Sequence, residues 1–268
     1  MKRIFVAALM GAALALPGAM AQTPAPAPAR GPGYLAADAI PRTLKILPPP
    51  PAAGSGRQAD DTAIFQATRK LKGEPRWDLA TADADLRPET VLTAVACDIG
   101  VTLDAQNAPT LMSLLRRSGA DSYAAFNPPK DFYARPRPYM APGAGDAPIC
   151  VAKSDALAKS ASYPSGHSTV SWAWGLILAE LAPDRATEIL ARARSIGESR
   201  IVCGVHYLSD VEAGRTTGSI LVAALHGDAA FRADLDKARA EVVAARAAAH
   251  TAPGQCSVAD AAAAHPPY

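Results

Sequence analysis

From about Asp60 to His250 the chain has no convincing run of alternating apolar and polar residues, and its apolar stripes recur at helical spacing. A sheet-built core is thereby excluded, and an all-α fold, a single-domain helical bundle, is expected. The segment "DDTAIFQATRKLKG" is predicted to open at Asp60 and Asp61 and to end at Gly73. "PETVLTAVACDIG" carries Pro88 at its start and Gly100 at its end. "APTLMSLLRRSG" sets Leu111, Leu114 and Leu115 on one face and is expected to stop at Gly119. "STVSWAWGLILAELAP" runs from Ser168 to Pro183, where "DRATEILARARSIG" takes over with Ile189, Ala193 and Ile196 as its stripe. After Tyr207 the series Val211, Gly214, Gly218, Leu221 and Leu225 keeps helical spacing, its glycines allowing a neighbouring helix to approach closely. The last predicted helix places Phe231, Leu235, Ala238, Val242 and Ala245 on one face, opposite a charged side.

The two ends read differently. "MKRIFVAALMGAALALPGAMAQ" has a basic start, an apolar run and the small-x-small triplet Ala19-Met20-Ala21, the pattern of a cleaved export signal covering 1–21. Nine of the 24 prolines fall between Pro24 and Pro51, so 22–56 is expected to be an extended lead with a mobile first part. The helical domain is assigned to 57–250 and a tail to 251–268. No stretch after the signal approaches the ~20 apolar residues a membrane span needs. A periplasmic or secreted location follows.

Losing Lys2 and Arg3 takes the formal charge from +2 to neutral. A neutral chain lacks the basic face that a nucleic-acid partner requires, so a bound anion should be small and held by a few focused cations. Cys97, Cys150, Cys203 and Cys256 are an even number in an exported chain, which suggests two disulfides among three possible connectivities. No Cys/His spacing suits zinc, and neither a metal nor a cofactor is expected.

Three segments could carry chemistry. In "SYPSGHS" (162–168), Ser165 and His167 could merely cap the helix that follows. The same geometry, with no side chain at Gly166, also makes an anion cradle of free backbone N–H groups. "KDFYARPRP" (130–138) offers Lys130, Arg135 and Arg137 in what reads as a proline-stiffened loop. In "SRIVCGVHYLSD" (199–210), His206 and Asp210 are four apart and face one way on a helix, so the carboxylate can fix the imidazole through its Nδ1 proton. Arg200 lies about 240° away from His206 on a continuous helix, and the two reach one site only if the helix breaks, for which Gly204 is suited.

Together these segments resemble the signature of the type 2 phosphatidic acid phosphatase and vanadium haloperoxidase superfamily: K-x6-R-P, P-S-G-H, then S-R-x5-H-x3-D. Lys130 with Arg137-Pro138, Pro164 to His167, and Ser199-Arg200 with His206 and Asp210 match it in order and spacing. Within it the chain looks most like the class A bacterial non-specific acid phosphatases, through "ILPPPP", "SYPSGH", "LAELAPDRATEIL" and "GESRIVCGVHYLSDVEAGR", over about Ile46 to Ala249. Arg135-Pro136 beside Arg137-Pro138 allows a second register, and Ser168 stands where Thr is usual.

The resemblance implies metal-independent hydrolysis of phosphate monoesters at acidic pH, with broad specificity and transfer to other alcohols as a side activity. Nucleotides, sugar phosphates and aryl phosphates are the implied substrates, and homo-oligomers are common in the family. His206 would be the nucleophile, Asp210 its orienting partner and His167 the general acid. Lys130, Arg137, Ser165, Gly166 and Arg200 would hold the phosphate. Cys203 would pair with Cys150, leaving Cys97 and Cys256. Trp172 and Trp174 are expected in the core, and His226, His250 and His265 at the surface. A haloperoxidase would hold vanadate in the same site, but such enzymes are usually much longer. A periplasmic phosphate-binding protein would have no use for two histidines and an orienting aspartate.

Overall fold

A computed structural model describes residues 32–248 and Tyr268. Among the described residues there are ten α-helices and no strand: α1 (Gly56–Thr68), α2 (Pro75–Ala82), α3 (Pro88–Ala94), α4 (Ala96–Ile99), α5 (Pro109–Tyr133), α6 (Asp155–Lys159), α7 (Gly166–Leu181), α8 (Ala186–Val202), α9 (Leu208–Leu225) and α10 (Ala229–Ala247). The fold is all-α. Helix α7 is buried nearly all round, as its apolar sequence requires, and packs on α8, α9 and α5. Its approach to α9 depends on two glycines. A Cβ at Gly214 would lie 2.6 Å from the Ser165 carbonyl, and one at Gly218 2.8 Å from that of Thr169. The predicted stripe of α10 is buried at all five positions.

Several predicted helix boundaries move: the helix read over 88–100 is two, α3 and α4, interrupted at Val95, and α1 ends at Thr68 rather than Gly73. Helix α1 begins at Gly56, because the Ser55 hydroxyl accepts the Gln58 N–H at 3.2 Å and so makes the better cap. Asp61 is therefore mid-helix and buried. Helix α5 does not stop at Gly119 but continues through Pro128 and Pro129 to Tyr133. Pro129 has no N–H for the Ala125 carbonyl, and the Thr43 hydroxyl donates to that carbonyl instead, at 2.7 Å. Losing this donor would strand a buried carbonyl at a cost of about 1–3 kcal/mol.

The proline-rich lead is thus part of the scaffold from residue 32 onward. Tyr34 and Leu35 donate their N–H groups to Asp121, and the Tyr163 hydroxyl donates to the Pro48 carbonyl at 2.6 Å. Leu47 packs with Tyr163 and Ala213. The expectation of mobility fell on 23–33, of which only Pro32 and Gly33 are described, and the export signal on 1–21, which lies outside the described residues. Trp174 is buried as expected, whereas Trp172 is half-buried and donates to the Ser219 hydroxyl. His226 is half-buried against Glu180; His250 and His265 lie outside the described residues.

Candidate active site

The start of α7 supplies the first wall. Ser165 is the N-cap, its hydroxyl oxygen accepting from the Ser168 N–H at 3.3 Å and the Ser168 hydroxyl at 2.9 Å. Its own N–H donates to the Asp210 carbonyl at 2.9 Å, which ties the starts of α7 and α9 together. A Cβ at Gly166 would lie 2.8 Å from Phe126 Cζ, so this glycine is required by the ring packed beneath the first turn. His167 follows, largely buried, with Nε2 3.1 Å from the Ala84 carbonyl oxygen. A carbonyl only accepts, so Nε2 carries the proton and Nδ1 is left with the lone pair.

The second wall is the break between α8 and α9. Gly204 takes φ +79°, the Gly204 N–H donates to the Ile201 carbonyl at 2.9 Å, and the Val205 N–H donates to the Arg200 carbonyl at 3.2 Å. This is a Schellman termination, and the His206 N–H reaches the same Arg200 carbonyl at 3.3 Å. Arg69 donates to the Ile201 and Val202 carbonyls and to Pro148, and Cys203 is disulfide-bonded to Cys150. Cys97 is also disulfide-bonded, while Cys256 lies outside the described residues.

His206 and Asp210 do not share a helix, contrary to the spacing argument. His206 precedes the N-cap Tyr207, and Asp210 is the third residue of α9, its Oδ2 accepting the Tyr207 N–H at 2.8 Å. The capping geometry turns the carboxylate back toward the chain entering the helix, leaving Oδ2 3.4 Å from His206 Nδ1. That is looser than a formed hydrogen bond.

The third segment also departs from expectation. Lys130 is on the last turn of α5 rather than in a loop, and its ammonium donates to the Ala161 carbonyl. The chain leaves α5 through a turn at Ala134, with φ +46°, and the two arginines that follow take different partners. Arg137 Nη1 donates to the Val205 carbonyl at 2.8 Å and to His206 Nε2 at 3.2 Å, while its Nε donates to the Leu157 and Ser160 carbonyls. A guanidinium has only donors, so His206 Nε2 holds the lone pair and Nδ1 the proton. Arg135 instead binds Asp210 and Asp61.

Electrostatically these groups form one cluster. Burial, then the positive charges of Arg137, Lys130 and Arg200, hold His206 well below the ordinary imidazole range. Burial and Arg200 do the same to His167. Burial, reinforced by Arg137, lowers Lys130 to about 7, and burial lowers Arg200 to about 10. Burial pushes the Asp210 carboxyl up, opposed chiefly by Arg135. Among the described residues nothing accepts from Nε or Nη1 of Arg200, although both are buried. Buried guanidinium donors without acceptors are costly, and an anion is the ligand that satisfies them.

Four participants were not foreseen: Asp61, Ser209, Asp83 and the Ala84 carbonyl. Asp83 anchors the loop that carries Ala84, accepting from Arg192 at 2.5 and 3.1 Å and from the Ser199 hydroxyl at 2.5 Å. Any residue supplies a carbonyl, so Ala84 has no sequence signal. For Asp61 the signal was Arg135, a cation that needs an acid when buried.

The PAP2 superfamily profile matches residues 111–232. An acid phosphatase of Zymomonas mobilis is 48% identical over 78% of this chain and 78% of its own length. Non-specific acid phosphatases of Providencia stuartii and Salmonella typhi are 37% and 33% identical, over 74% and 73% of this chain and 80% and 78% of theirs.

Proposed function

The chain belongs to the PAP2 superfamily and is an acid phosphatase, and on that premise we propose that it hydrolyses phosphate monoesters through a phosphohistidine at His206. The observation that carries this reading is the buried Arg200 guanidinium, whose Nε and Nη1 meet no acceptor among the described residues, beside two histidines of fixed tautomer. Lys130, Arg137, Arg200, the Ser165 hydroxyl and the Gly166 N–H hold the non-bridging oxygens and stabilise the in-line transition state.

His206 Nε2 attacks phosphorus as the ester P–O bond breaks. In the arrangement described, Arg137 donates to that lone pair. A phosphate oxyanion is the stronger acceptor and draws the guanidinium away, freeing Nε2. The phosphorylated ring keeps its Nδ1 proton and is a cation, which the Asp210 carboxylate stabilises. His167 delivers the proton from Nδ1 to the leaving oxygen, then takes one from the water that cleaves the P–N bond, and orthophosphate leaves. Three side-chain cations supply the charge that a metal would otherwise bring, so the reaction is metal-independent.

The acid step needs protonated His167. Burial and neighbouring cations oppose that form, and the substrate's negative charge favours it, so activity falls as pH rises past the His167 pKa in the complex. The assigned residues all act on the phosphoryl group or its nucleophile, and apart from the proton that His167 supplies none is assigned to the leaving group, which fits broad specificity for small phosphomonoesters. Export to the periplasm or medium is supported by the amino-terminal pattern and the disulfides.

The test is turnover of a chromogenic phosphate ester in excess chelator, with phosphoenzyme from a radiolabelled phosphate ester trapped in alkaline denaturant. The wild type should be unaffected by chelator and yield a labelled, acid-labile intermediate. Label in His206→Ala would falsify the nucleophile assignment, and chelator-sensitive turnover would remove the metal-independent claim.

A further inference from the structure

We propose that Arg135 is a positioning residue for phosphoryl transfer: its guanidinium, clamped between Asp61 and Asp210, holds the Asp210 carboxylate with Oδ2 turned to His206. The inference rests on His206 being the nucleophile. Arg135 is buried, and its two Nη groups make four contacts: Nη1 to Asp210 Oδ1 at 2.6 Å and Ser209 Oγ at 2.8 Å, Nη2 to Asp61 Oδ2 at 2.9 Å and Gln58 Oε1 at 2.6 Å. Four Nη protons meet four acceptors, so neither Nη group has a proton left for a phosphate. Arg200 is the opposite case, with buried donors that meet no acceptor among the described residues.

The clamp is fixed from three directions. Asp61 on α1 accepts the Ser209 N–H through Oδ1 at 3.0 Å and the Ser209 hydroxyl through Oδ2 at 2.5 Å. Ser209 lies in the first turn of α9, and the guanidinium stacks on the ring of the N-cap Tyr207 at 4.2 Å. The Arg135 carbonyl accepts the Ser162 N–H at 2.8 Å, linking the clamp to the segment that leads into P-S-G-H. With Oδ1 held by Arg135 and Oδ2 by the Tyr207 N–H, the carboxylate cannot rotate away from the imidazole.

A positioning role and a phosphate-holding role separate in kinetics. Arg135→Ala should lower kcat at least tenfold while leaving the inhibition constant of orthophosphate, which does not bond the nucleophile, within about threefold of wild type. Arg137→Ala, which loses a proposed phosphate contact, should weaken orthophosphate at least tenfold. Arg135→Lys keeps the charge but cannot bridge two carboxylates. It should show the same split less severely, and it carries the test if Arg135→Ala does not fold. Weakened orthophosphate in the Arg135 variants would make Arg135 a phosphate ligand, and unchanged kcat would leave it no part in transfer; either overturns the inference. His206→Ala is assayed alongside. If it turns over normally, the nucleophile reading fails and the inference with it; if it is inactive while Arg135→Lys is normal, the inference alone fails.

Discussion

The two histidines of the site are backed by different chemistry. Behind His206 stands a carboxylate, Asp210, itself held by a buried guanidinium. Behind His167 stands a neutral carbonyl, that of Ala84, whose two flanking carboxylates are spent elsewhere, Asp83 on Arg192 and Ser199 and Asp85 on Arg87 and Thr90. A carboxylate at the far nitrogen fixes the tautomer and favours positive charge on the ring. A carbonyl fixes the tautomer with much less bias toward the cation. The first arrangement suits a ring that must carry a phosphoryl group as a cation, and the second a ring that must gain and lose a proton in each cycle.

The largest expected effect tests the nucleophile side. His206→Ala should lower kcat by about 10⁴-fold or more, since removing a nucleophile abolishes the pathway rather than one contribution to it. His167→Ala should cost about 10²–10⁴-fold, the range for a general acid, and less for nitrophenyl phosphate than for an alkyl phosphate. Equal losses on both esters would break the comparison, because a leaving group that needs no proton should not miss its donor.

Arg200→Ala should reduce kcat/KM and vanadate affinity by about 10²-fold, as expected for a charge-assisted donor in a desolvated site. Undiminished vanadate inhibition would mean that its free donors face something other than phosphate. On the carbonyl side, Asp83→Asn should change kcat less than about tenfold but destabilise the fold by about 3–5 kcal/mol, since it leaves Arg192 buried without its counter-charge. A large kcat loss at unchanged thermal stability would instead give His167 an electrostatic partner like that of His206.

The smallest effect is a pH slope. Both imidazoles are held neutral in the fold, below the unfolded value near 6.5, so the unfolded chain binds more protons as pH falls below about 6.5. Stability therefore declines with falling pH in that window, until the folded pKa values are reached. Phosphate, which favours the charged rings, should flatten the slope. Melting temperatures from pH 7 to 5, with and without phosphate, check this, and each His→Ala variant should remove its own share.

Much of the architecture was readable from periodicity, because a buried helical stripe repeats whatever its neighbours are. The stripe of α10 and the close approach at Gly214 and Gly218 are examples. The failures came where a distant residue changed a local rule. Gly119 and Pro128–Pro129 should have ended α5, but Thr43 satisfies the carbonyl that Pro129 frees, and the buried face continues to Lys130. Spacing placed His206 and Asp210 on one helix, whereas the cap at Tyr207 puts the histidine outside it and still brings the two together.

The order and spacing of Lys130, Arg137, Ser165 to His167, Arg200, His206 and Asp210 were present in the chain itself, because those residue types are what an anion and a proton transfer require. Tertiary structure decided which of two neighbouring arginines faces His206 and which holds Asp210. In sequence Arg135 and Arg137 are near equivalents, each followed by proline. The acids brought up by α1 and α9 separate them, because a buried guanidinium takes its role from the acceptors that surround it.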